Sequence, residues 1–574
     1  CVRDSFKSSK STDLSTFGLT NHRRTVLLNH DHWGDFATRV FKERYAFDAS
    51  ETWPGLARRV SSEVFKPILN QGLCAPVGEI EQMIAARRFL PGGRYLYAAG
   101  RALHQTQNCL LLRAEDSREG WADLYWKHVM GLSTGAGIGT VYSDIRAKGT
   151  PLRSTGGVAG GPINLMMGIN EAAHTVRQGG NRRAALWAGL HWWHADALEY
   201  CRIKDWPEHV RQQKAADWNA SAPLDYTNQS VCYDDAFFAA IGNPSALRHK
   251  QAHAVFWENV RLALRTGDPG FSIDVGENDG ECLRNACTEV SSRDDSDICN
   301  IASLNLARYQ SIDEFKRDLP LAVAFLVAGS VYSDLPYSQV GKVRESNRRL
   351  GLGLMGVHEW LVKRGKPYAP DAELQTWLEA YAQTTEMAHK IADEWSLSRP
   401  VKTRAMAPNG TIGIVAETTT CLEPLLAVAY KRRVKKGDDT WAQYVVDPVA
   451  QRLIQHGANP DSIETAYSLA ESAEGVERRV AFQAWFQQYV DHGIASTINL
   501  PAWGSARNND ATVQEFGEML LRYMPKLRGI TVYPDGARGG QPITQVSLKT
   551  ALQHGSDLVY ETGDVCDLRG GNCG

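Results

Sequence analysis

The chain has 574 residues, of which 63 are Lys or Arg and 65 are Asp or Glu, so its formal net charge is −2. Proteins whose main partner is a phosphate backbone carry a strong basic excess, and this near balance excludes that class. Apolar residues make up 43% and charged residues 22% of the chain, which excludes a disordered protein and predicts a globular one. At about 150 residues per domain, the length suggests roughly three or four domains, or one large barrel with extensions.

The start of the chain and its cysteines indicate the compartment. The chain begins at Cys1 without an initiator Met, which indicates a fragment or a processed product, and its first residues lack the apolar segment of a secretory signal. We therefore expect a cytoplasmic protein, whose 11 cysteines are free, metal-bound or catalytic. Their spacing contains no C-x2-C motif paired with a second one or with H-x3-H, so no zinc site is expected.

The predicted elements divide the chain into three parts. Residues 1–85 are predicted to form a helical N-terminal region, because stretches such as 53–69 carry apolar residues at helical spacing. Over residues 86–545, short apolar strands such as 108–112 and 529–533 alternate with helices. This alternation favours an α/β barrel or a large doubly wound sheet.

Three other stretches carry weaker structural signals. The spacing of apolar residues over 253–265 predicts an amphipathic helix that Gly267 ends. The apolar run 321–331 is far shorter than the roughly 20 residues of a membrane span, so it predicts a buried helix. Residues 546–574 are polar and rich in Gly at their end, and they are predicted to be a flexible C-terminal tail.

The segment from Asn285 to Glu289 combines an amide, a thiol and a carboxylate on alternate residues. In an extended loop, alternate side chains face the same way, so Asn285, Cys287 and Glu289 are predicted to converge on one ligand. A carboxylate beside a thiol raises the thiol pKa, which opposes protease-type chemistry and favours a thiol that stays protonated. Such a thiol can lose a hydrogen atom while the carboxylate acts as a base. The alternative is a surface loop with an incidental cysteine.

Two more cysteines stand in polar settings, Cys109 after Asn108 and Cys299 before Asn300. Each alone is typical of a small buried apolar residue. With the 285–289 segment they form part of an ordered series of motifs, which continues at 136–139 (AGIG), 144–149 (DIRAKG), 154–157 (STGG), 178–183 (QGGNRR), 267–271 (GDPGF), 408–412 (PNGTI), 423–424 (EP) and 529–536 (GITVYPDG). Over residues 86–574 the sequence resembles the large catalytic subunit of ribonucleotide reductase.

The resemblance implies a fold and a mechanism. The fold is a ten-stranded α/β barrel with a central finger loop. Cys287 matches the cysteine that this loop carries in the family, which implies that it forms a thiyl radical and abstracts the ribose 3′ hydrogen. Glu289 would take the 3′-hydroxyl proton, and Asn285 would bond the sugar hydroxyls. Cys109 and Cys299 would supply two electrons and end as a disulfide while the 2′-hydroxyl leaves as water. A radical of this kind needs an enclosed, dry site.

The resemblance also implies two nucleotide sites. The family often has Ser at the position of Gly413, which puts one hydroxyl contact with the substrate phosphates in doubt. Two glycines beside two arginines suit a loop that relays effector identity to the substrate base. The implied residues are Asn108, Pro408, Asn409, Gly410, Thr411 and Ile412 for the substrate, Asp116, Ser133 and Arg146 for a dNTP or ATP effector, and Gln178, Gly179, Gly180, Asn181, Arg182 and Arg183 for the specificity loop.

The tail cysteines Cys566 and Cys573 match the family's mobile pair, which re-reduces the active site by thiol–disulfide exchange with a thioredoxin- or glutaredoxin-type reductant. The alternative is a Gly-rich tail with two idle thiols. A homodimer is a further implication. The short N-terminus has no room for the ATP-binding module of some members, so we expect specificity regulation without dATP on/off control.

The subtype follows from how the family makes its radical. Class I enzymes use two adjacent tyrosines, and the chain contains no such pair. Its 531–540 stretch resembles class II, and its 568–574 end does not match the glycyl-radical segment of class III. Class II implies adenosylcobalamin as cofactor and a ribonucleoside di- or triphosphate as substrate. The chain has no cobalamin motif of the DxHxxG type. The alternatives are a class I-like subunit that needs a radical-generating partner, a non-catalytic nucleotide-binding paralogue, and a thiol–disulfide oxidoreductase.

Overall fold

The computed structural model describes residues 34–153, 155–176, 184–217, 220–278, 280–436, 439–537, 543–554 and 558–560. The strands are β1 (Phe89–Pro91), β2 (Cys109–Arg113), β3 (Gly137–Val141), β4 (Leu186–His191), β5 (Thr227–Asp234), β6 (Gly270–Asp274), β7 (Leu283–Arg284), β8 (Ser291–Ser292), β9 (Asp297–Asn305), β10 (Leu350–Met355), β11 (Ala429–Lys436), β12 (Asp439–Val446), β13 (Thr497–Leu500), β14 (Gly529–Pro534), β15 (Ile543–Gln545) and β16 (Leu558–Tyr560).

The α-helices are α1 (Asp35–Arg44), α2 (Trp53–Asn70), α3 (Val77–Ala85), α4 (Gly93–Ala98), α5 (Arg118–Thr134), α6 (Gly161–Thr175), α7 (Ala197–Arg202), α8 (Glu208–Ala216), α9 (Asp235–Ile241), α10 (His249–Thr266), α11 (Ile312–Tyr332), α12 (Ser338–Asn347), α13 (Val357–Lys363), α14 (Ala372–Ala382), α15 (Thr384–Glu394), α16 (Gly410–Ala416), α17 (Pro448–Gln455), α18 (Ala466–Ala470), α19 (Ala473–Gln487), α20 (Val513–Tyr523) and α21 (Leu548–His554). Short 3-10 turns occupy Gly276–Asn278, Leu306–Arg308, Pro460–Ser462, Asp510–Thr512 and Met524–Lys526.

The described N-terminal region is helical, as predicted. Helix α2 begins at a Thr52 side chain that accepts a hydrogen bond from the Gly55 backbone, which satisfies one of the donors left open at a helix start. Most of its apolar residues are buried, including Val60 and Phe65, and the Phe65 ring meets Phe325 of α11 edge to face. Helix α11 contains the apolar run 321–331, which is a buried helix as predicted. No helix in the described part of the chain is long and apolar enough to cross a membrane.

The core of the molecule is a ring of ten strands. Strands β2 to β6 are mutually parallel, β6 pairs antiparallel with β14, and β14 runs parallel to β13. On the other side, β2 pairs antiparallel with β9, which runs parallel to β10. Parallel bridges from Leu352 to Arg404 and from Met406 to Ile494 close the gap between β10 and the segment entering β13. With the bridged segment 404–406 as the fifth member of the half that contains β9, β10, β13 and β14, two parallel halves of five face each other antiparallel. This arrangement confirms the predicted ten-stranded barrel.

Strands β7 and β8 form a two-stranded hairpin inside this ring, the predicted finger. Leu283 and Val290 of the hairpin share one buried apolar cluster with residues of β2, β3, β4, β5 and β9. A Cβ atom at Gly139 would lie 1.8 Å from the backbone oxygen of Arg284, so only glycine lets β3 and the finger approach this closely. The finger is thus packed against the barrel wall on several sides.

Ordered structure extends beyond the boundary predicted at residue 545. Residues Leu548–His554 form α21, and Leu558–Tyr560 pairs with β12 in a four-stranded sheet of the order β15-β11-β12-β16. Strand pairing with β12 gives this segment backbone partners that its polar composition does not reveal. Residues 561–574, which include Cys566 and Cys573, lie outside the described residues.

Candidate active site

The tip of the finger is a tight turn. The Thr288 backbone N–H donates to the Asn285 carbonyl at 3.0 Å, and Thr288 has a φ of 69°. The extended conformation predicted for residues 285–289 is therefore wrong, because the chain reverses here. The turn exposes Cys287 and buries Asn285 and Glu289. The Asn285 Oδ1 accepts the Val290 backbone N–H at 3.0 Å, which holds the two limbs of the turn together.

Behind the tip, two cysteines lie side by side on neighbouring strands of the barrel wall. Cys109 of β2 and Cys299 of β9 are direct partners in the antiparallel register, and both thiols are free and buried. Direct partners in such a pair place their Cβ atoms about 4.5–5.5 Å apart, close to the distance that a disulfide bridges. The Asn285 Nδ2 donates to the Cys109 Sγ at 3.3 Å, which links the finger to this pair.

Burial sets the protonation of these groups. Desolvation raises the pKa of Glu289 to about 7, while a hydrogen bond from Asn285 lowers it by less. The Glu289 Oε2 atom is buried without a hydrogen-bond partner among the described residues. Burial, followed by the charge of Glu289, raises the pKa of Cys109 well above its usual value. Burial and then the charge of Asp297 do the same for Cys299. Protonated thiols beside a carboxyl that titrates near neutral pH suit hydrogen-atom and proton transfer.

A cavity of about 570 Å³ lies in front of the finger tip. Cys287 and Thr288 line one side of it, Pro408 and Gly413 another, and the strand segment 529–533 a third. Its volume falls in the range of roughly 300–1,000 Å³ of small-molecule sites. Of the three thiols at this site, only Cys287 lines the cavity, so it is the thiol that meets a ligand there first.

The predicted phosphate loop borders this cavity, which Pro408 of the loop and the adjoining Gly413 line. Asn409 adopts a left-handed conformation with a φ of 57° directly before α16, and its Nδ2 donates to the Ser303 Oγ at 3.0 Å. Thr411 shares a hydrogen bond with the Tyr45 hydroxyl, and Ile412 is buried. A Cβ at Gly413 would lie 2.6 Å from the Thr420 Cγ2, so a Ser there would require Thr420 to move. The missing hydroxyl therefore has a steric reason in this chain.

The predicted effector residues are only partly brought together. The Arg146 Nε donates to the Asp116 Oδ2 at 2.7 Å in a partly exposed ion pair. Ser133 instead donates to the Val129 carbonyl at 2.7 Å within its own helix α5, and among the described residues no hydrogen bond joins it to that pair. The specificity loop Gln178, Gly179, Gly180, Asn181, Arg182 and Arg183 lies outside the described residues, as do Cys566 and Cys573.

A family model for the ribonucleotide reductase barrel domain matches residues 107–260, 245–396 and 398–533. The chain belongs to the ribonucleotide reductase family. This confirms the resemblance inferred from its motifs and the fold that the resemblance implied.

Curated relatives and a solved structure agree with this assignment. The chain is 25% identical to a vitamin B12-dependent ribonucleoside-diphosphate reductase of Thermoplasma acidophilum over 84% of its own length and 68% of the relative's. It is 26% identical to one from Mycobacterium tuberculosis, over 81% and 72%. It is 25% identical to a putative adenosylcobalamin-dependent ribonucleoside-triphosphate reductase of Mycobacterium phage D29, over 75% and 71%. The class Id ribonucleotide reductase alpha subunit of Actinobacillus ureae shares the fold, with a TM-score of 0.68 at 14% identity, over 87% of this chain and 97% of that one.

Sequence reasoning missed three residues at this ribonucleotide reductase site. Tyr45 and Ser303 contact the phosphate loop from segments far away in sequence. No local motif marks Tyr45, whereas Ser303 stands in the 299–306 motif (CNIASLNL) but was assigned no role. Glu423 stands in the visible Glu-Pro motif but was assigned no role. It lines the cavity, accepts the Thr497 backbone N–H at 2.8 Å and forms an ion pair with Arg479.

Proposed function

We propose that this chain reduces ribonucleotides to 2′-deoxyribonucleotides by a thiyl-radical mechanism that depends on adenosylcobalamin, and so supplies DNA precursors. The observation that carries the proposal is the arrangement at the finger: Cys287 at the cavity, with the paired Cys109 and Cys299 behind it. The names of the B12-dependent relatives support the same reaction and cofactor.

Each group at the finger has one role in this reaction. The Cys287 sulfur radical takes the 3′ hydrogen of the ribose, and Glu289 accepts the proton of the 3′-hydroxyl. Asn285 bonds the sugar hydroxyls. Cys109 and Cys299 then give two electrons and two protons, so that the 2′-hydroxyl leaves as water, hydrogen takes its place, and a disulfide joins the two sulfurs. The cross-strand register of the two cysteines supports this last step.

The surroundings of Cys287 fit an organic cofactor. Its thiol is exposed at the tip, and Thr531 and Tyr533 line the same cavity. These residues would hold the adenosyl end of the cofactor beside the thiol. When bound, adenosylcobalamin supplies the initiating radical by homolysis of its cobalt–carbon bond, while the protein supplies position and shelter. The absence of a Tyr-Tyr pair from the sequence supports this class over one that needs a radical-generating subunit.

The proposal extends to partners. The substrate is a ribonucleoside di- or triphosphate, bound by Asn108 and the loop from Pro408 to Ile412. The place of Pro408 and the adjoining Gly413 in the cavity lining supports that role. A dNTP or ATP effector binds at Asp116, Ser133 and Arg146, and the 178–183 loop relays its identity. Cys566 and Cys573 carry electrons from a thioredoxin- or glutaredoxin-type reductant, and the chain works as a homodimer.

An anaerobic assay tests the function. The purified chain with adenosylcobalamin, dithiothreitol and either CDP or CTP is expected to form deoxynucleotide, and comparing the two substrates assigns the phosphate number. Activity that appears only after a metal-containing partner protein is added would contradict the class II assignment. No activity under any of these conditions, in a chain that binds nucleotide, would favour the non-catalytic paralogue.

The tail has its own test. Replacing Cys566 and Cys573 with Ser is expected to leave a pre-reduced enzyme that makes about one deoxynucleotide per active site and then stalls with thioredoxin. Dithiothreitol, which can diffuse to the buried pair, is expected to restore much of the turnover. Full multiple turnover with thioredoxin in this double variant would show that the tail is idle.

A further inference from the structure

A second cluster of metal-ligating side chains lies at the base of the finger. His191 is the last residue of β4, Asp274 is the last residue of β6, and Cys282 directly precedes β7. All three are buried, and their ligating nitrogen, oxygen and sulfur atoms lie within 4.8 Å of one another. None of them lines the cavity in front of Cys287. The cluster is therefore separate from the site assigned to ribonucleotide reduction.

We propose that His191, Asp274 and Cys282 bind one Zn²⁺ ion, which fastens the base of the finger to β4 and β6. Three points within 4.8 Å of one another share a position no more than about 2.8 Å from each, so side-chain shifts of under an ångström reach zinc bond lengths of roughly 2.0–2.3 Å. Nitrogen, carboxylate oxygen and thiolate sulfur are the donors that zinc accepts, and a water molecule completes a tetrahedral shell.

A hydrogen bond orients the imidazole for this role. The Ser143 Oγ lies 2.7 Å from the His191 Nδ1 and accepts the His191 backbone N–H at 2.9 Å. With the ring proton on Nδ1 and donated to this oxygen, the Nε2 lone pair would be free for the metal, which is the usual outer-shell arrangement of zinc-bound histidine. Ser143 is thus the outer-shell partner of this ligand.

The charges of the cluster match a divalent cation. Zinc binding turns the Cys282 thiol into a thiolate and releases its proton to solvent, so Cys282 and Asp274 together offset two positive charges. The Arg113 Nη2 donates to the Cys282 Sγ at 3.6 Å, and its own charge is offset by Asp144 at 3.1 Å. The nearby Arg284 guanidinium is bound to backbone carbonyl groups, including that of Ile273 at 2.9 Å.

A second cavity lies next to the end of β4. A cavity of about 460 Å³ is lined by Trp192 and Trp193, which follow His191 in the chain, and by Asp234 at the end of β5. Arg248 lines the same cavity, so its wall carries one acidic and one basic side chain. The sequence expectation of no zinc site concerned local spacing only, whereas these ligands come from two strand ends and the finger base.

The test is a zinc titration of metal-free protein without cobalamin, in a chain whose Cys566 and Cys573 are replaced with Ser to remove the tail thiols. One Zn²⁺ per chain is expected by calorimetry. Co²⁺ in its place is expected to give a thiolate-to-cobalt charge-transfer band in the near ultraviolet. Cys282→Ser is expected to abolish that band and to lower zinc affinity by more than the roughly 10–100-fold loss that outer-shell changes cause.

Matched variants make the outcome decisive. Asp274→Asn, which keeps the side-chain shape, is expected to weaken zinc binding as well, and Ser143→Ala to weaken it by about 10-fold or more. Cys201→Ser removes another buried thiol outside the cluster and is expected to leave the zinc affinity and the cobalt charge-transfer band unchanged. Circular dichroism shows whether each variant is folded. Equal zinc affinity in the parent and in folded Cys282→Ser and Asp274→Asn, or a cobalt spectrum without the thiolate band, would overturn the proposal.

Discussion

The base and the tip of the finger differ in whether their buried charged groups have partners of opposite charge. At its base, Glu281 pairs with Lys402, and Asp297 of β9 pairs with Arg349, all of them largely buried. Asp297 also accepts a hydrogen bond from Ser292 of the finger at 2.6 Å. At the tip, the described residues place no cation against the buried Glu289 carboxyl, and Cys287 faces a cavity.

The difference shows how one hairpin can be held rigidly at its base and still carry reactive groups at its tip. Buried ion pairs hold charged groups in one arrangement, because separating the two partners leaves a buried charge without compensation, which is strongly destabilising. An uncompensated carboxyl instead takes a pKa near 7 and can exchange protons at neutral pH. The base therefore positions the tip, and the tip keeps its groups in reactive protonation states.

The largest expected effect is at the tip. Cys287→Ala is expected to reduce deoxynucleotide formation to the assay background while nucleotide binding stays nearly unchanged, because the thiol acts in the radical step and not in binding. Product formation and nucleotide affinity are measured on the same preparation. Cys74→Ala, which removes another exposed thiol, is the control and is expected to keep full activity. Substantial turnover in Cys287→Ala would remove this residue from the mechanism.

Glu289→Gln is expected to lower kcat by about 10²–10⁴-fold, the usual contribution of a positioned base. In the unaltered enzyme the carboxylate is the active form, so the rate is expected to rise with pH through about 7. The variant is expected to lose this limb of the pH profile. A variant with an unchanged pH profile would assign the base to another group.

At the base, Glu281→Gln is expected to lower the free energy of unfolding by about 3–5 kcal/mol, because it leaves the buried Lys402 and part of Arg349 without a counter-charge. Denaturant unfolding measures this change. The exposed Glu379→Gln is the matched control, with an expected change within about 0.5 kcal/mol. Equal stability of the two variants would refute the clamping role of this network.

The smallest expected effect is a gain in stability at the tip, opposite in sign to the loss expected at the base. The pKa of Glu289 is raised from 4.5 to about 7 in the folded chain, so its contribution is favourable below about pH 4.5 and is lost as the pH rises through about 7. Glu289→Gln removes this loss and is expected to stabilise the protein above about pH 7 by up to about 3 kcal/mol, at about 1.4 kcal/mol per pKa unit. Unfolding curves at acidic and alkaline pH test this, and destabilisation at both would contradict it.

Many elements of the fold were predictable from apolar patterns. The stretch 529–533 reads as a buried strand and is β14, and the 253–265 pattern lies within α10, which ends at a left-handed Gly267. The prediction of an extended 285–289 segment was wrong because Thr288 adopts a positive φ, which β-branched residues rarely do and which no sequence pattern announces.

The sequence by itself determined which chemical groups the site contains, because thiol, amide and carboxylate stand within five neighbouring residues, and which segments become strands and helices, because apolar spacing selects them. Only the tertiary structure decided which distant groups meet. Cys109 faces Cys299 through the register of β2 and β9, and Tyr45 reaches Thr411 through the packing of the N-terminal region. The physical reason is that such contacts depend on barrel closure and strand register, which are properties of the whole chain and not of any local pattern.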